Sequence, residues 1–214
     1  MKRSALLSLC FLLSALSIFA QTDAKAKAIL DKASLMFKQK AVKFDFMLTL
    51  EDTKTDKKKV VKGDAVVKGN KFKLTVPAVH TYFDGKSEYV YVLKNKEVSI
   101  SVPTKAELQD INPALILTSY SQKGSVQFSL DSKQELPYYV IDVFPDFKLK
   151  KNYYKSIIRI DKKTLQVISI KVLCQNGVHS LFQLSNYDTK QDYKDNFFVF
   201  DLKANPKVNV NDLR

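Results

Sequence analysis

The stretch Lys71–Val92 reads KFKLTVPAVHTYFDGKSEYVYV, and its rhythm decides the fold class. Phe72, Leu74 and Val76 fall on one side, with Lys71, Lys73 and Thr75 on the other. After Pro77 and an Asp84-Gly85 turn the alternation resumes, and Tyr89 and Tyr91 share a side. A period of two is that of strands with one buried face. Bulky side chains on such strands need a partner, and the rest of the chain offers few helices to lie over them.

Moving outward, the same period recurs on both flanks. Upstream, Phe44, Phe46, Leu48 and Leu50 alternate with Lys43, Asp45, Met47 and Thr49, and Val61, Gly63, Ala65 and Val67 share a face beyond a polar turn. Gly69-Asn70 makes a hairpin turn. Downstream, strands are predicted at Val98–Val102, Ser125–Leu130, Tyr138–Phe144, Ser156–Ile160, Leu165–Leu173, His179–Tyr187 and Phe197–Phe200. Asp161-Lys162-Lys163-Thr164 and Gln175-Asn176-Gly177 read as turns. The residues from Asp146 to Tyr154 read as a basic loop, and those after Val208 as a tail.

Two helices interrupt this pattern. Ala26, Ile29, Leu30, Ala33, Met36 and Phe37 follow helical spacing behind Thr22 and Asp23, which can cap, and that helix should end near Lys40. Asn112-Pro113 starts a short central helix through Leu115, Ile116 and Leu117. The sum is a mainly β chain of about eleven strands with hairpin-length connections, hence an antiparallel sheet. A sheet that wide must curl, close or split. It folds on itself, or it leaves a cavity for something else to fill.

The N-terminus reads as an address. Lys2 and Arg3 precede an apolar run from Ala5 to Phe19, with a cleavage point near Ala20. Residues 1–20 are expected to be a signal peptide and residues 21–214 a single domain, exported and cleaved. Leu9 before Cys10 is too large for a lipidation site. Removal of Cys10 leaves a single cysteine, Cys174, so no internal disulfide can form. The formal net charge of +13 comes from lysines spread along the chain, many of them outward teeth of strands (Lys62, Lys68, Lys71, Lys73). That spread reads as a solvated outer face and not as a nucleic-acid site. The runs Lys57-Lys58-Lys59 and Lys148–Lys151 are the exceptions to examine.

Catalytic chemistry is sparse. His80 and His179 lie far apart, each within an alternating strand, and Cys174 lacks a neighbouring cysteine. No serine sits in a nucleophile elbow, no ligand cluster has metal spacing, and no two glycines are placed to cradle a phosphate. Gly63, inside a strand, marks a bulge or a close approach. No enzymatic activity, cofactor or metal is expected. The aromatic residues are plentiful, with fourteen Phe and ten Tyr. On a curved sheet with little helical cover, such side chains are what an apolar ligand cavity requires.

These features together resemble the periplasmic lipoprotein carriers of the LolA type. The resemblance rests on the N-terminal helix followed by Val42-Lys43-Phe44-Asp45-Phe46, on Gly63-Asp64-Ala65-Val66-Val67-Lys68, and on Asp84-Gly85-Lys86 before an aromatic strand. It rests also on Asn112-Pro113, Ile160-Asp161-Lys162-Lys163-Thr164, and Phe198-Val199-Phe200 with Val208 and Val210 near Asp212. It implies an incomplete antiparallel β-barrel with the helices as a lid over an acyl-chain cavity. Phe44, Phe46, Phe72, Leu74, Tyr89, Tyr91 and Ile100 would line that cavity, and Leu115, Ile116 and Leu117 would supply lid contacts. It implies a monomer that receives lipoprotein acyl chains from an inner-membrane lipoprotein-releasing transporter and passes them to an outer-membrane acceptor. Family members carry an arginine before the Phe72 strand that latches the lid. Here Lys68-Gly69-Asn70-Lys71 stands there, which implies a different latch or a looser lid. The competing readings are a lipid-binding or lipid-sensing module of the same fold, and an enzyme acting on lipids or glycans.

Overall fold

A computed structural model describes residues 24–104, 107–108, 125–145 and 151–214. Twelve strands form one sheet: β1 (Ala41–Asp52), β2 (Lys57–Lys68), β3 (Lys71–Val76), β4 (Val79–Phe83), β5 (Glu88–Val92), β6 (Glu97–Ser101), β7 (Ser125–Phe128), β8 (Tyr138–Phe144), β9 (Tyr153–Asp161), β10 (Val167–Cys174), β11 (Val178–Asp188) and β12 (Asn209–Asp212). Their order is β12-β6-β5-β4-β3-β2-β1-β11-β10-β9-β8-β7, so among the described residues β12 and β7 are the edges and the sheet is an open one. Two meanders, β1–β6 and β7–β11, meet at the long antiparallel β1–β11 pairing. The architecture is the mainly β sheet with an N-terminal helix that the sequence pattern predicts, and it is open, as in the incomplete barrel that the resemblance implies.

Turn chemistry fixes the hairpins. Gly69 takes φ 61° between β2 and β3, a left-handed conformation that costs glycine little. Asp84 Oδ1 accepts from the backbone N–H groups of Lys86 and Ser87, closing the four-residue β4–β5 connection. Asp161 Oδ1 does the same for Lys163 and Thr164 between β9 and β10.

Helix α1 covers residues 24–39. Its Ala26, Ile29, Leu30, Ala33 and Phe37 are buried in one cluster with Val42 and Phe44 of β1, Phe72 of β3, Phe83 of β4, Val126 of β7, Ile141 of β8 and Ile158 of β9. The nine neighbouring strands from β4 to β7, at about 4.8 Å, span some 38 Å on a flat sheet, whereas sixteen helical residues reach about 24 Å. A single cluster reaching from β4 to β7 around one helix therefore requires the sheet to curl, with α1 on its concave face. On the opposite, convex face a second cluster joins Tyr89, Val98, Ile100 and Phe200.

Several expectations change. The described residues hold twelve strands, because the tail forms β12, which runs parallel to β6 and so departs from the all-antiparallel pattern. Phe197–Phe200 is not a strand: Asp195–Phe198 is a 3₁₀ turn. The segment crosses the convex face instead of joining the ladder, which is how both Phe198 and Phe200 become buried. Leu165 is not in a strand either; it sits at φ 58° in the turn before β10. Tyr153 and Tyr154, assigned to the basic loop, begin β9. The signal peptide, the Thr22 and Asp23 cap, the Asn112-Pro113 helix with Leu115, Ile116 and Leu117, and Lys148 and Lys150 lie outside the described residues.

Candidate functional site: an apolar concave face and its rim

The concave face is built from alternate residues of paired strands. Directly opposed residues in a ladder share a face. Phe44 opposes Ala65, Phe46 opposes Gly63, Leu48 opposes Val61, and Leu50 opposes Lys59. On the other flank Phe46 opposes Leu184 and Leu48 opposes Phe182. Beyond β2, Ala65 opposes Leu74, Val67 opposes Phe72, and Phe72 opposes Phe83.

This face has two parts. Beneath α1 it is closed: Phe44 and Phe72 are buried, Phe37 meets Phe44 edge-on at 6.0 Å, and Phe72 stacks on Phe83 at 5.4 Å. A bulge in β11 contributes here. Asn186, at φ 53°, shifts the register and turns Tyr187 toward the helix. The Tyr187 ring lies 5.6 Å from that of Phe44, and its hydroxyl donates to the carbonyl of Val167 at 2.8 Å. Burial pushes the ionisation of this phenol well above its ordinary range. Toward the β1–β2 turn the face opens. Phe46, Leu48, Leu50, Val61 and Leu74 are only half-buried.

Gly63 stands where β2 and β3 separate, since the last pair of that ladder is Asp64 with Thr75. A Cβ at Gly63 would lie 2.1 Å from the Thr75 carbonyl oxygen and 2.9 Å from the Phe46 ring. The close approach expected from the sequence is therefore present, and only glycine permits it.

Of the predicted cavity residues, Phe44, Phe46, Phe72 and Leu74 share the concave face. Tyr89, Tyr91 and Ile100 do not. Phe83 opposes Glu88, so Tyr82 opposes Tyr89, and Tyr89 opposes Ile100 on the convex side. There Tyr91 and Tyr82 pack on Phe200 at 4.9 and 5.8 Å. The physical reason is the length of the β4–β5 connection, which sets the phase between hairpin arms. Leu115, Ile116 and Leu117 fall outside the described residues.

The concave position next to Phe83 belongs to Glu88, which is buried, with Oε1 lacking a hydrogen-bond partner. Desolvation, then the nearby Glu107 carboxylate, pushes its carboxyl group up. Glu107 belongs to a capping box. Its Oε2 accepts from Thr104 N at 2.7 Å while Thr104 Oγ1 accepts from Glu107 N at 3.3 Å. Residues 107–108 are helical, and Leu108 packs against the concave cluster. The Thr-x-x-Glu spacing signals this helix start, which the reading of Asn112-Pro113 passed over.

The outward lysines are on the convex face as their alternation predicts, but three are not simply solvated. Lys68 Nζ bonds Asp192 at 2.8 Å and the Tyr193 carbonyl at 2.7 Å, and Lys71 bonds Asp195 at 2.8 Å. Lys73 lies between the rings of Tyr82 and Phe197, at 4.9 and 4.8 Å. They fasten the segment after β11 across the sheet. His80 is beside Tyr91 on that same side, and His179 Nδ1 accepts from the backbone N–H of Cys174 at 3.2 Å. These groups do not converge on the concave face. Among the described residues no group of three or more His, Cys, Asp or Glu is placed to hold a metal ion.

Comparison with known proteins places this architecture. An uncharacterized conserved protein from Thermus thermophilus superposes with a TM-score of 0.56 at 9% identity, over 88% of this chain and 99% of that one. A DUF1329 family protein from Desulfovibrio piger gives 0.50 at 10% identity, over 83% and 97%. A LolA superfamily protein from Nitrosomonas europaea gives 0.48 at 14% identity, over 82% and 98%. No curated protein matches the sequence. At these identities the first two superpositions speak for the fold alone. A sequence family described as outer membrane lipoprotein carrier protein LolA matches residues 16–175, from before α1 to the turn after β10, and the chain belongs to that family.

Proposed function

We propose that this protein is a periplasmic carrier that takes lipoprotein acyl chains on its concave face and shuttles them from the inner to the outer membrane. The observation that supports it most is the half-open part of that face. Phe46, Leu48, Leu50, Val61 and Leu74 continue the apolar surface beyond the packed cluster yet remain half-buried. A filled core would leave no such strip, and a purely structural sheet would have little reason to keep it apolar. The family membership and the apolar run behind Lys2 and Arg3 favour a periplasmic location, a lipoprotein-releasing transporter as donor and an outer-membrane acceptor. Nothing in the arrangement of His80, His179 and Cys174 favours turnover.

The energetics suit a carrier. Each buried methylene contributes about 0.8 kcal/mol, so one long chain yields on the order of 10 kcal/mol gross. Several chains fully enclosed would pass the practical ceiling of roughly 18–21 kcal/mol. Partial burial on an open face keeps release feasible.

Leu74→Glu tests the reading. A carboxylate on the half-open strip should abolish binding of a fluorescent fatty acid, because the chain would have to lie against a charge. It should cost little stability, because water reaches the site. Circular dichroism melting is followed beside the binding titration. Collapse of the melting temperature would assign Leu74 to a dry core, and unchanged binding would remove it from the site.

A further inference from the structure

The concave face ends at a rim that the carrier reading leaves unexplained. The β1–β2 and β10–β11 hairpins are tied together there, with Thr53 N and Oγ1 both donating to the Gly177 carbonyl at 3.0 Å. Between them lies an open cleft of about 320 Å³ lined by Leu50, Asp52, Lys57, Lys58, Lys59 and Val178. That volume is at the small end of the roughly 300–1,000 Å³ usual for ligand sites, which suits part of one acyl chain.

The charges around the cleft are unequal in freedom. Lys58 is paired with Glu51 at 2.9 Å. Asp52 is turned into its own hairpin, accepting from Lys54 N at 2.9 Å, and these turn contacts hold its carboxyl below the usual range. Lys57 and Lys59 have no ion-pair partner among the described residues. Lys59 directly opposes Leu50 and Lys57 opposes Asp52, so both stand on the concave side. A lysine in such a place lays its methylene stem along apolar surface and keeps its ammonium in water.

Resting on the acyl-chain reading above, we propose that this rim also binds free amphiphiles whose polar end is anionic, beside lipoprotein chains, whose ester and amide linkages carry no such charge. The chain lies on Leu50, Leu48 and Val178, and its carboxylate or phosphate is met by the ammonium groups of Lys57 and Lys59. Lysines also discourage unwanted pairing along the part of β2 that β3 leaves uncovered. That role is indifferent to the charge of a ligand, so headgroup dependence separates the two.

The experiment compares cis-parinaric acid with its methyl ester, which share a chain and differ in charge. Both are titrated below their aggregation limits against the purified protein at pH 8. The acid is expected to bind roughly tenfold more tightly, as befits charge-assisted contacts, with the gap narrowing in high salt. The double variant Lys57→Gln, Lys59→Gln should close the gap between acid and ester, and an unaltered melting curve confirms its fold. Equal binding of acid and ester by the unsubstituted protein overturns the headgroup proposal alone, as does a gap that survives in the double variant. Displacement of the acid by millimolar glycerol 3-phosphate would show an anion site independent of the chain, and also overturns it. Sedimentation with phosphatidylglycerol vesicles without binding of either soluble probe would mark a membrane-contact surface instead. Binding of neither probe, with no sedimentation, removes both this proposal and the acyl-chain reading.

Discussion

The two faces of this sheet are covered by different means. The concave face takes a helix, which satisfies its own backbone hydrogen bonds and can therefore lay a whole apolar stripe on the strands. The convex face takes the irregular segment between β11 and β12, which cannot. Its backbone is satisfied piecemeal, with Asp201 Oδ1 accepting from Lys203 N and Ala204 N and Lys68 reaching the Tyr193 carbonyl. Its apolar contribution narrows to a few side chains such as Phe198 and Phe200. An irregular cover thus needs side-chain fastenings that a helix does not. That is why outward lysines acquire partners on one side while α1 seats itself by packing.

If this contrast is right, the largest effect comes from the concave side. Phe72→Ala should cost about 3–5 kcal/mol in urea unfolding, because Phe72 is fully buried and stacked on Phe83. A loss below about 1 kcal/mol would show that the helix-covered cluster does not hold the fold. Phe200→Ala should cost nearer ~3 kcal/mol and act locally. Hydrogen exchange is expected to rise across the segment from Tyr193 to Asp212 while α1 stays protected. Uniform acceleration in both would erase the distinction between the two covers.

Adjacent residues of β5 offer a finer comparison, since Glu88 faces the concave side and Tyr89 the convex. The folded state raises the Glu88 carboxyl group above its unfolded value. Its contribution is therefore most favourable below the unfolded pKa and is lost as pH rises through the folded one. Glu88→Gln should stabilise the fold at pH 7 by on the order of 1 kcal/mol, and in thermal melts the advantage should vanish as the pH falls through the carboxylate range. A pH-independent difference would mean that packing, not charge, sets the effect. The smallest change is Lys71→Ala, because an ion pair with so exposed a carboxylate as that of Asp195 contributes little. It should show mainly as greater protease sensitivity near Asp195, and should shrink in high salt. An effect equal to that of Phe200→Ala would mean the ion pairs, and not the aromatic plug, secure the convex cover.

Alternation makes strands legible but not the phase between them. Phe72 with Leu74 and Tyr89 with Tyr91 are each on one side of their own strands, as the sequence period requires. Whether the two pairs share a face depends on one integer, the length of the Asp84–Ser87 connection, and the period carries no information about it. The tail is unreadable for another reason. Asn209–Asp212 is wholly exposed, so no buried face imprints a pattern, and its pairing with β6 is non-local and parallel. The alternate Phe198 and Phe200 imitate a strand because a segment crossing a sheet can also bury every second side chain. The Thr104 and Glu107 capping box is there to be read, and so is the half-open strip, whose Phe46, Leu48 and Leu74 stand out by period alone. What the strip opens onto depends on where β2 outruns β3, which is set by tertiary register.

The meeting of the two meanders at β1 and β11 carries a consequence in time. Each meander can assemble from neighbours in sequence, but the seam joins residues near position 45 to residues near position 185, and β12 waits on the last residues of the chain. Loop closure of that length precedes any return from the contacts it enables. A polypeptide emerging from its N-terminus therefore presents β1 with one unpaired edge until β11 arrives. During that interval the apolar side of β1 is the part of the nascent molecule most in need of protection, and folding speed should respond to changes along the seam far more than to changes in either hairpin stack.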